Sequence, residues 1–218
     1  MTPVPPERVP EPLRPLTSPV WLTEARRKII HFASLILPLA LLYEFSPWPR
    51  GRAEWRWLLV LLTLGAIAFD LVRIHQRRVR LFMRDFFGGM IREHERWNLL
   101  GSTYLLIAAL LAIEIFPQPV AAAALGFTVL GDGVAALVGK AWGRTRFFHK
   151  TLEGALAGLV ACLLWATFLH FTVHLPWPAL IAGALAASLV ELLPIPLDDN
   201  LGMTLVSGYV MRFLMMPA

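Results

Sequence analysis

Long apolar blocks alternate with short polar segments along the chain. Seven blocks rich in Leu, Ile, Val, Ala and Phe lie at about residues 28–45, 55–72, 98–116, 120–138, 152–173, 179–195 and 201–216. Each is close to the roughly 17–25 residues that a helix needs to cross a bilayer. The pattern therefore predicts an all-α, polytopic membrane protein with about seven transmembrane helices.

The composition agrees with a membrane protein. Of the 218 residues, 57% are hydrophobic and 16% are charged, whereas soluble domains have roughly 45–50% and about 25%. The net charge of +5 does not indicate a nucleic-acid partner, because the arginines lie between apolar blocks and no nucleic-acid-binding motif is present. With Cys162 as the single cysteine, an intrachain disulfide is excluded.

The start of the chain differs from the rest. Seven prolines fall within the first 19 residues, and proline at this density is incompatible with a continuous helix. We expect residues 1–24 to be a disordered cytoplasmic tail and residues 25–218 to be a single transmembrane domain. A signal peptide is not expected, because no short basic start leads into an apolar run and a cleavage site.

Lysine and arginine placement predicts the orientation. If the N-terminus is inside, sixteen of the twenty basic residues lie in the tail and the inner loops, and four lie outside: Arg50, Arg52, Arg56 and Arg212. Cytoplasmic loops carry the excess of Lys and Arg in membrane proteins, so the N-terminus is expected inside. The absence of a targeting peptide favours a prokaryotic plasma membrane.

The long inner loop contains an amphipathic pattern at about residues 73–87. Four arginines fall on one helical face and apolar residues fall on the other, up to Gly88 and Gly89. This pattern predicts an interfacial helix. Its basic face suits either an anchor to anionic lipid or a wall beside a phosphate site, and the sequence leaves both open.

Ionisable residues within or beside the apolar blocks are the first candidates for chemistry, because charge is costly at membrane depth. On the predicted orientation, six of them gather at the inner ends: His31, Asp70, Asp132, Glu191, Asp198 and Asp199. The adjacent pair Asp198 and Asp199 suits Mg²⁺, which prefers hard oxygen ligands. A solvated turn is the alternative for this pair.

Asp132 lies between Gly131 and Gly133 and shares a helical face with Gly139 and Gly143. Small residues on one face are typical of close helix packing. They would also let a phosphate chain approach the backbone, with Asp132 holding a divalent metal. Packing alone does not explain the carboxylate, so we favour the second interpretation.

The basic loop after Asp132 leads into a predicted helix start. Thr151 is a suitable N-cap residue, and a helix N-terminus favours phosphate binding. Lys140 and Lys150 add positive charge nearby, and Glu153 follows in the first turn. The alternative is a routine cap in a positively charged inner loop.

These residues resemble motifs of the family of integral membrane lipid kinases that includes dolichol kinase, phytol kinase and CTP-dependent diacylglycerol kinase. The resemblance covers about residues 26–218. The matching motifs are Arg27-Lys28-x-x-His31, Glu93-x-Glu95 with Asn98-x-x-Gly101-x-x-Tyr104, Gly131-Asp132-x-x-Ala135-x-x-x-Gly139-Lys140-x-x-Gly143, Lys150-Thr151-x-Glu153-Gly154-x-x-Ala157-Gly158, and Glu191 leading into Asp198-Asp199-Asn200.

The resemblance implies CTP as phosphoryl donor, Mg²⁺ as cofactor and a long-chain lipid alcohol as acceptor: a polyprenol, dolichol, phytol or diacylglycerol. It implies catalytic or metal-binding roles for Asp132, Asp198 and Asp199, and a catalytic role for Lys150. The residues expected to contact substrate or nucleotide are Arg27, Lys28, His31, Glu95, Asn98, Gly131, Gly139, Lys140, Thr151, Glu153, Gly154, Glu191 and Asn200. The resemblance does not divide the roles of Asp198 and Asp199.

Two other functions compete with this one. Phosphatidate cytidylyltransferase shares the Gly-Asp region and the Lys-Thr-x-Glu-Gly motif, but the chain lacks the further C-terminal run with Ser, Lys-Arg and Lys-Asp. A small transporter would have polar residues near the membrane midplane, whereas here they gather at one face. The oligomeric state is not fixed by the sequence, and the small-residue faces are compatible with a homodimer.

Overall fold

The computed structural model describes residues 19–43, 49–87, 95 and 97–216. Most of these residues are helical, and they include an antiparallel pair of two-residue strands. The elements are α1 (Pro19–Ala33), α2 (Ile36–Tyr43), α3 (Gly51–His75), α4 (Arg77–Phe87), α5 (Gly101–Ile115), α6 (Gln118–Trp142), β1 (Arg146–Phe147), β2 (Lys150–Thr151), α7 (Leu152–Val173), α8 (Trp177–Leu192) and α9 (Asp199–Leu214). The prediction of an all-α protein is confirmed, with this short hairpin as an addition.

Three helices of the described part are long and apolar enough to cross a membrane: α3, α6 and α7. The helices α5 and α8 are apolar but shorter. Large apolar side chains are exposed along α7 and α8 at four-residue spacing, among them Leu156, Val160, Leu164, Leu185 and Leu189. Such faces suit contact with lipid, and these features indicate a membrane protein. The seven spans and the N-inside orientation stay predictions.

The helix α6 lies at the centre of the bundle. Within its most apolar window 78% of the residues are buried, against 22% for α3 and 28% for α7. It packs against α1, α2, α5, α7, α8 and α9. Its first half contains the run Val120 to Ala124, which is fully or almost fully buried, and small side chains of this kind allow neighbouring helices to approach closely.

Glycines set the spacing between α6 and α7. A Cβ atom on Gly154 would lie 2.6 Å from the carbonyl oxygen of Ala135, and one on Gly158 would lie 2.8 Å from that of Gly131. A Cβ on Gly139 would lie 2.7 Å from Thr151 Oγ1. The helices therefore pack closely at Gly131, Gly139 and Gly154, and the approach of a phosphate chain to the face of Asp132, Gly139 and Gly143 stays a prediction.

The first apolar block is two helices rather than one. We expected a continuous span over residues 28–45 with a kink at Pro38, but α1 ends at Ala33 and α2 begins at Ile36. The ring of Pro38 would clash with the carbonyl of Ser34, four residues earlier, which explains where the helix is interrupted. Here the backbone N–H of Ser34 donates to His31 O at 3.1 Å, the tighter spacing of a 3₁₀ turn.

The helix α1 begins at Pro19, inside the range 1–24 that was expected to be a disordered tail. Proline is well suited to the first position of a helix because its missing N–H has no intrahelical partner there. Residues 1–18 lie outside the described part of the chain, so the rest of that expectation is not tested.

The expected interfacial helix at 73–87 begins four residues later. The helix α3 continues to His75, Gln76 is extended, and α4 runs from Arg77 to Phe87. Arg73 is therefore a residue of α3, and at 1% exposure it is not part of a basic surface. The side chains after Met83 and the residues Gly88 and Gly89 lie outside the described part.

The bundle has two chemically different ends. At the polar end, α3, α6 and α8 finish while α5, α7 and α9 begin. At the opposite end, α5 and α9 finish near the start of α3. The described site residues predicted from the sequence on α6, β2, α7, α8 and α9 lie on elements that start or finish at the polar end, Asp198 caps α9, and Glu95 and Asn98 lie in the segment before α5.

Candidate active site at the polar end

A buried ion pair joins α1 to α6. The ammonium group of Lys28 contacts the carboxylate of Asp132 and donates a second bond to Asp132 O at 3.2 Å. The ring nitrogen His31 Nε2 lies 3.5 Å from Asp132 Oδ2. Lys28 is 2% exposed and Asp132 is 6% exposed. Moving such charges from water to a dry interior costs several kcal/mol per ion, so stability alone does not account for their presence.

A second charged group lies where β2, α8 and α9 meet. Lys150 Nζ donates to Glu191 Oε1 at 2.9 Å and to Asp199 Oδ2 at 2.8 Å. Burial on its own would lower the pKa of Lys150, but the Asp199 and Glu191 carboxylates outweigh it and raise that pKa to about 12. Lys150 is therefore a cation throughout the physiological pH range, so it can neutralise negative charge but cannot act as a general base.

The two groups share one electrostatic environment. Asp132 and Asp199 both act electrostatically on Glu191, which is 4% exposed. We name the five residues Lys28, Asp132, Lys150, Glu191 and Asp199 the charged cluster. Three carboxylates and two ammonium groups give it a formal charge of −1 when all are ionised, so a cation would complete its neutralisation.

Asp198 and Asp199 have different positions. Asp198 is the N-cap residue of α9, and its Oδ1 accepts from the backbone N–H of Asn200 at 3.0 Å and from the Asn200 side chain at 3.0 Å. Asp199 contacts Lys150 in the charged cluster. The two adjacent carboxylates therefore have different contacts: Asp198 caps the start of α9, and Asp199 contacts Lys150 in the cluster.

The start of α5 is joined to the start of α9. Asn200 Nδ2 donates to Gly101 O at 3.2 Å, and Glu95 Oε1 accepts from the Gly101 N–H at 3.0 Å. The backbone carbonyl oxygen of Asn98 accepts a hydrogen bond from Arg73 Nη2 at 2.6 Å. Glu95, Asn98 and Asn200 therefore all lie at the polar end, although the charged cluster is formed by other residues.

Asp70 and Arg73 form a buried ion pair at the end of α3. Asp70 was taken as a functional candidate, but it is fully buried and accepts from Leu100 N at 2.9 Å and Thr103 Oγ1 at 2.7 Å, which caps α5. Arg73 donates to Asp70 at 3.0 Å and to Glu95 O at 2.9 Å. Their i, i+3 spacing on one helix is the sequence signal for such a pair.

The hairpin before α7 is stabilised by its own residues. Thr151 Oγ1 accepts from the Gly154 N–H at 3.2 Å, so the predicted N-cap is confirmed. The Glu153 carboxylate accepts from the backbone N–H groups of Arg144 at 3.1 Å and Thr145 at 3.0 Å. Two further predicted phosphate ligands lie at the rim: Lys140 is exposed in the last turn of α6, and Arg27 is half-buried beside Lys28.

The donor set fits a metal that is shared with a substrate rather than one enclosed by protein alone. Among the described residues, no three His, Cys, Asp or Glu side chains are grouped to hold a metal ion. Mg²⁺ is commonly bound by one or two carboxylates together with substrate phosphates and water. The carboxylates of Asp132 and Asp199 are compatible with that arrangement, whereas Asp198 is engaged as a helix cap.

Comparisons with known proteins bear on this site. The chain is 25% identical over 189 residues to an uncharacterized protein of Rickettsia prowazekii (strain Madrid E), covering 84% of this chain and 90% of the relative. It is also 25% identical over 170 residues to the CTP-dependent diacylglycerol kinase 1 of Schizosaccharomyces pombe, covering 70% of this chain and 77% of the kinase. The chain is similar to a lipid kinase. No protein-family model and no solved structure matches it.

The similarity to this lipid kinase and the apolar helices support the general prediction of a lipid kinase in a membrane. Ser188, which lies on α8 one turn before Glu191, is not among the candidates predicted from the sequence. The available signal was a lone hydroxyl within an otherwise apolar block, since polar groups in such blocks often contact other helices or ligands.

Proposed function

We propose that this protein is an integral membrane lipid kinase that transfers the γ-phosphoryl group of CTP to the hydroxyl group of a long-chain lipid alcohol. The reaction takes place at the polar end, on the cytoplasmic face of a prokaryotic plasma membrane. The observation that carries the proposal is the charged cluster, in which residues of five different elements bring two lysines and three carboxylates together inside an apolar bundle.

The composition of the charged cluster supports phosphoryl transfer. That reaction needs carboxylates that bind Mg²⁺ and cations that neutralise phosphate, and it needs little covalent chemistry from the protein. The cluster contains both kinds of group at one end of the bundle. The similarity to a CTP-dependent diacylglycerol kinase supports the same choice of reaction.

Lys28 and Lys150 neutralise the phosphate charge in this mechanism. Both ammonium groups contact carboxylates in the protein, so each can exchange part of that contact for a phosphate oxygen without leaving a carboxylate isolated. Lys150 contributes as a cation only, because its pKa of about 12 keeps it protonated. Arg27 and Lys140, at the rim, contact the outer phosphates.

Asp132 and Asp199 are the carboxylates that would hold Mg²⁺ together with phosphate oxygens, and the ion supplies charge neutralisation there. Asp198 acts indirectly, because its cap fixes the first turn of α9 and with it the position of Asp199. Gly131, Gly139 and Gly154 act through packing, since they bring α6 close to α7, α9 and the hairpin, so that the cluster can form.

The transfer step exchanges one bond for another. The acceptor hydroxyl oxygen forms a bond to the γ-phosphorus, the bond from that phosphorus to the bridging oxygen breaks, CDP leaves, and the hydroxyl proton passes to solvent water. The apolar outer faces of α7 and α8 allow the lipid tail to remain in the membrane. The nucleotide approaches from the aqueous side, where Lys140 and the hairpin are exposed.

A label-transfer assay tests this proposal. Purified protein in detergent is incubated with Mg²⁺, a panel of lipid alcohols and phosphatidic acid, and with CTP that is labelled either in the γ-phosphate or in the cytosine ring. We expect γ-label on an alcohol and no ring label on any lipid. Ring label on phosphatidic acid would instead identify a cytidylyltransferase, and no transfer to any lipid would contradict both enzymes.

A further inference from the structure

Two buried oxygen atoms near the charged cluster, Glu191 Oε2 and Asn200 Oδ1, have no hydrogen-bond partner within the described part of the chain, and a third, Ser188 Oγ, has only the weak Cys162 thiol beside it. Glu191 is 4% exposed and Asn200 is 8% exposed. Buried polar atoms in folded proteins are hydrogen-bonded in the large majority of cases. We therefore expect a donor at these positions that comes from outside the described residues.

The geometry around Glu191 leaves one specific oxygen for such a donor. Glu191 Oε1 accepts from Lys150 Nζ at 2.9 Å, which fixes the carboxylate and leaves Oε2 without a partner. The other carboxylates of the charged cluster contact lysines, Asp132 with Lys28 and Asp199 with Lys150. Among the carboxylates that the structure describes, Glu191 therefore has a buried oxygen atom that accepts no hydrogen bond.

Ser188 lies on the same side of α8, one turn before Glu191. Its polar neighbour is the thiol of Cys162, a weak hydrogen-bonding group. Beside these two residues, Leu185 and Leu189 are 51% and 55% exposed and form part of the apolar outer face of α8. A buried hydroxyl and a buried carboxylate oxygen therefore lie next to a surface that suits a lipid chain.

Charge distinguishes a lipid hydroxyl from a nucleotide phosphate at this position. The unpartnered atom is a carboxylate oxygen, and Asp132 and Asp199 add negative potential around it. A phosphate would be repelled there, whereas a neutral O–H group can donate to Oε2. An alcohol oxygen also accepts hydrogen bonds, so the Ser188 hydroxyl group can donate a hydrogen bond to it.

We infer that Glu191 and Ser188 bind the hydroxyl group of the lipid acceptor, with the alcohol O–H donating to Glu191 Oε2 and its chain lying along Leu185 and Leu189. This inference rests on the proposed kinase function and adds the residues that receive the acceptor. Glu191 is in this account a substrate-binding residue for the lipid and not for CTP.

Steady-state kinetics with geranylgeraniol and dioctanoylglycerol test the inference. The variant Glu191→Gln keeps a carbonyl oxygen for Lys150 but places an NH₂ group, which donates rather than accepts, at the second position. We expect KM for the alcohol to rise about tenfold or more, as loss of a charge-assisted hydrogen bond implies. We expect KM for CTP to change by less than about twofold, because the variant keeps the contact with Lys150 and does not alter the binding of CTP.

Ser188→Ala is the second variant, with an expected rise of about threefold in KM for the alcohol, as loss of a neutral hydrogen bond implies. Ser207→Ala is its matched control. Ser207 is also buried, but its hydroxyl donates to Met203 O at 2.6 Å within α9. Its kinetics should equal those of the unaltered protein, and thermal unfolding in detergent checks that all variants are folded.

Equilibrium binding of tritiated geranylgeraniol without CTP separates this inference from the proposed function. Saturable binding that weakens in Glu191→Gln supports the inference even if no phosphoryl transfer is found, an outcome that would contradict the kinase alone. An unchanged KM and unchanged binding in Glu191→Gln would overturn the inference and leave the kinase standing. A rise confined to KM for CTP would overturn it as well and assign Glu191 to the nucleotide.

Discussion

The two ends of the bundle use charge differently. At the polar end, the side chains of Lys28 and Asp132 are 2% and 9% exposed. At the opposite end, those of Arg56 and Glu114 are 45% and 35% exposed. Exposed pairs typically contribute less than about 1 kcal/mol, whereas buried pairs are costly to form and costly to break.

The described arginines of the opposite end have a structural explanation. Arg52 donates to Glu114 O and Arg212 donates to Ile115 O, so arginines satisfy carbonyl groups in the last turn of α5. Cations at a helix C-terminus are also favoured by the helix dipole. The charged cluster has no comparable structural explanation, because apolar side chains of the same volume would pack there at lower cost. This contrast is why we assign function to the polar end.

Removing the Asp132 charge is expected to have the largest effect on activity. In Asp132→Asn, phosphoryl transfer should fall by at least about 100-fold, because a carboxylate of the charged cluster is lost where charge develops during the reaction. The γ-label assay measures this change.

Glu114→Gln is the matched control for that variant, because it removes a carboxylate charge at the opposite end. It should keep the activity of the unaltered protein. Full activity in a folded Asp132→Asn protein would refute the assignment of the site.

Breaking one ion pair at each end compares their contributions to stability. Lys28→Met leaves the buried Asp132 carboxylate without its lysine, which should lower the free energy of unfolding by about 3–5 kcal/mol. Arg56→Met breaks an exposed pair and should lower it by less than about 1 kcal/mol. Equilibrium unfolding in mixed micelles measures both, and equal losses would contradict the distinction between the ends.

The packing of α6 against α7 is the next feature to change. Gly154→Ala places a methyl group 2.6 Å from Ala135 O, and such overpacking should destabilise the protein by about 1–3 kcal/mol. Gly65→Ala on α3 is the control, since a Cβ atom there meets nothing within 4 Å. That control should be neutral or stabilising by about 0.5–1 kcal/mol, because alanine is the better helix former.

The smallest expected effect is that of pH on the contribution of Lys150 to stability. The pKa of Lys150 is raised from 10.5 to about 12, so the stabilisation by its carboxylate partners is complete below pH 10.5 and is lost as the pH rises through about 12. The stability difference between the unaltered protein and Lys150→Arg, which keeps a permanent cation beside both carboxylates, should therefore be constant from about pH 6 to about pH 9. A difference that changes steeply within that range would show that Lys150 titrates there.

The sequence predicted where the polar residues gather because hydrophobic blocks fix which residues lie at the block ends. Lys150, Glu191 and Asp199 were expected at one face and meet there. The partner of each residue was not predictable. Lys28 and Asp132 are 104 positions apart, and the choice between Asp132 and another carboxylate depends on how α1 packs against α6.

Local patterns misled where tertiary contacts compete with them. Arg73 has the correct spacing to share a face with Arg77, yet α3 continues past it and its guanidinium is buried against Asp70 and Glu95 O. Periodicity cannot reveal the end of one helix and the start of the next when both are compatible with the same spacing. The glycines were ambiguous for a similar reason, since close packing and close ligand approach require the same small side chains.

The order of residues along the chain gives the charged cluster an advantage during biosynthesis. Lys28 precedes Asp132, and Lys150 precedes both Glu191 and Asp199. A chain emerges from its N-terminus first, so each lysine is already present when its acidic partner is made. A lysine without a partner can extend its charge toward the interface, whereas a short carboxylate side chain cannot reach as far. The acidic residues of the cluster therefore enter the bundle with their counterions already in the membrane.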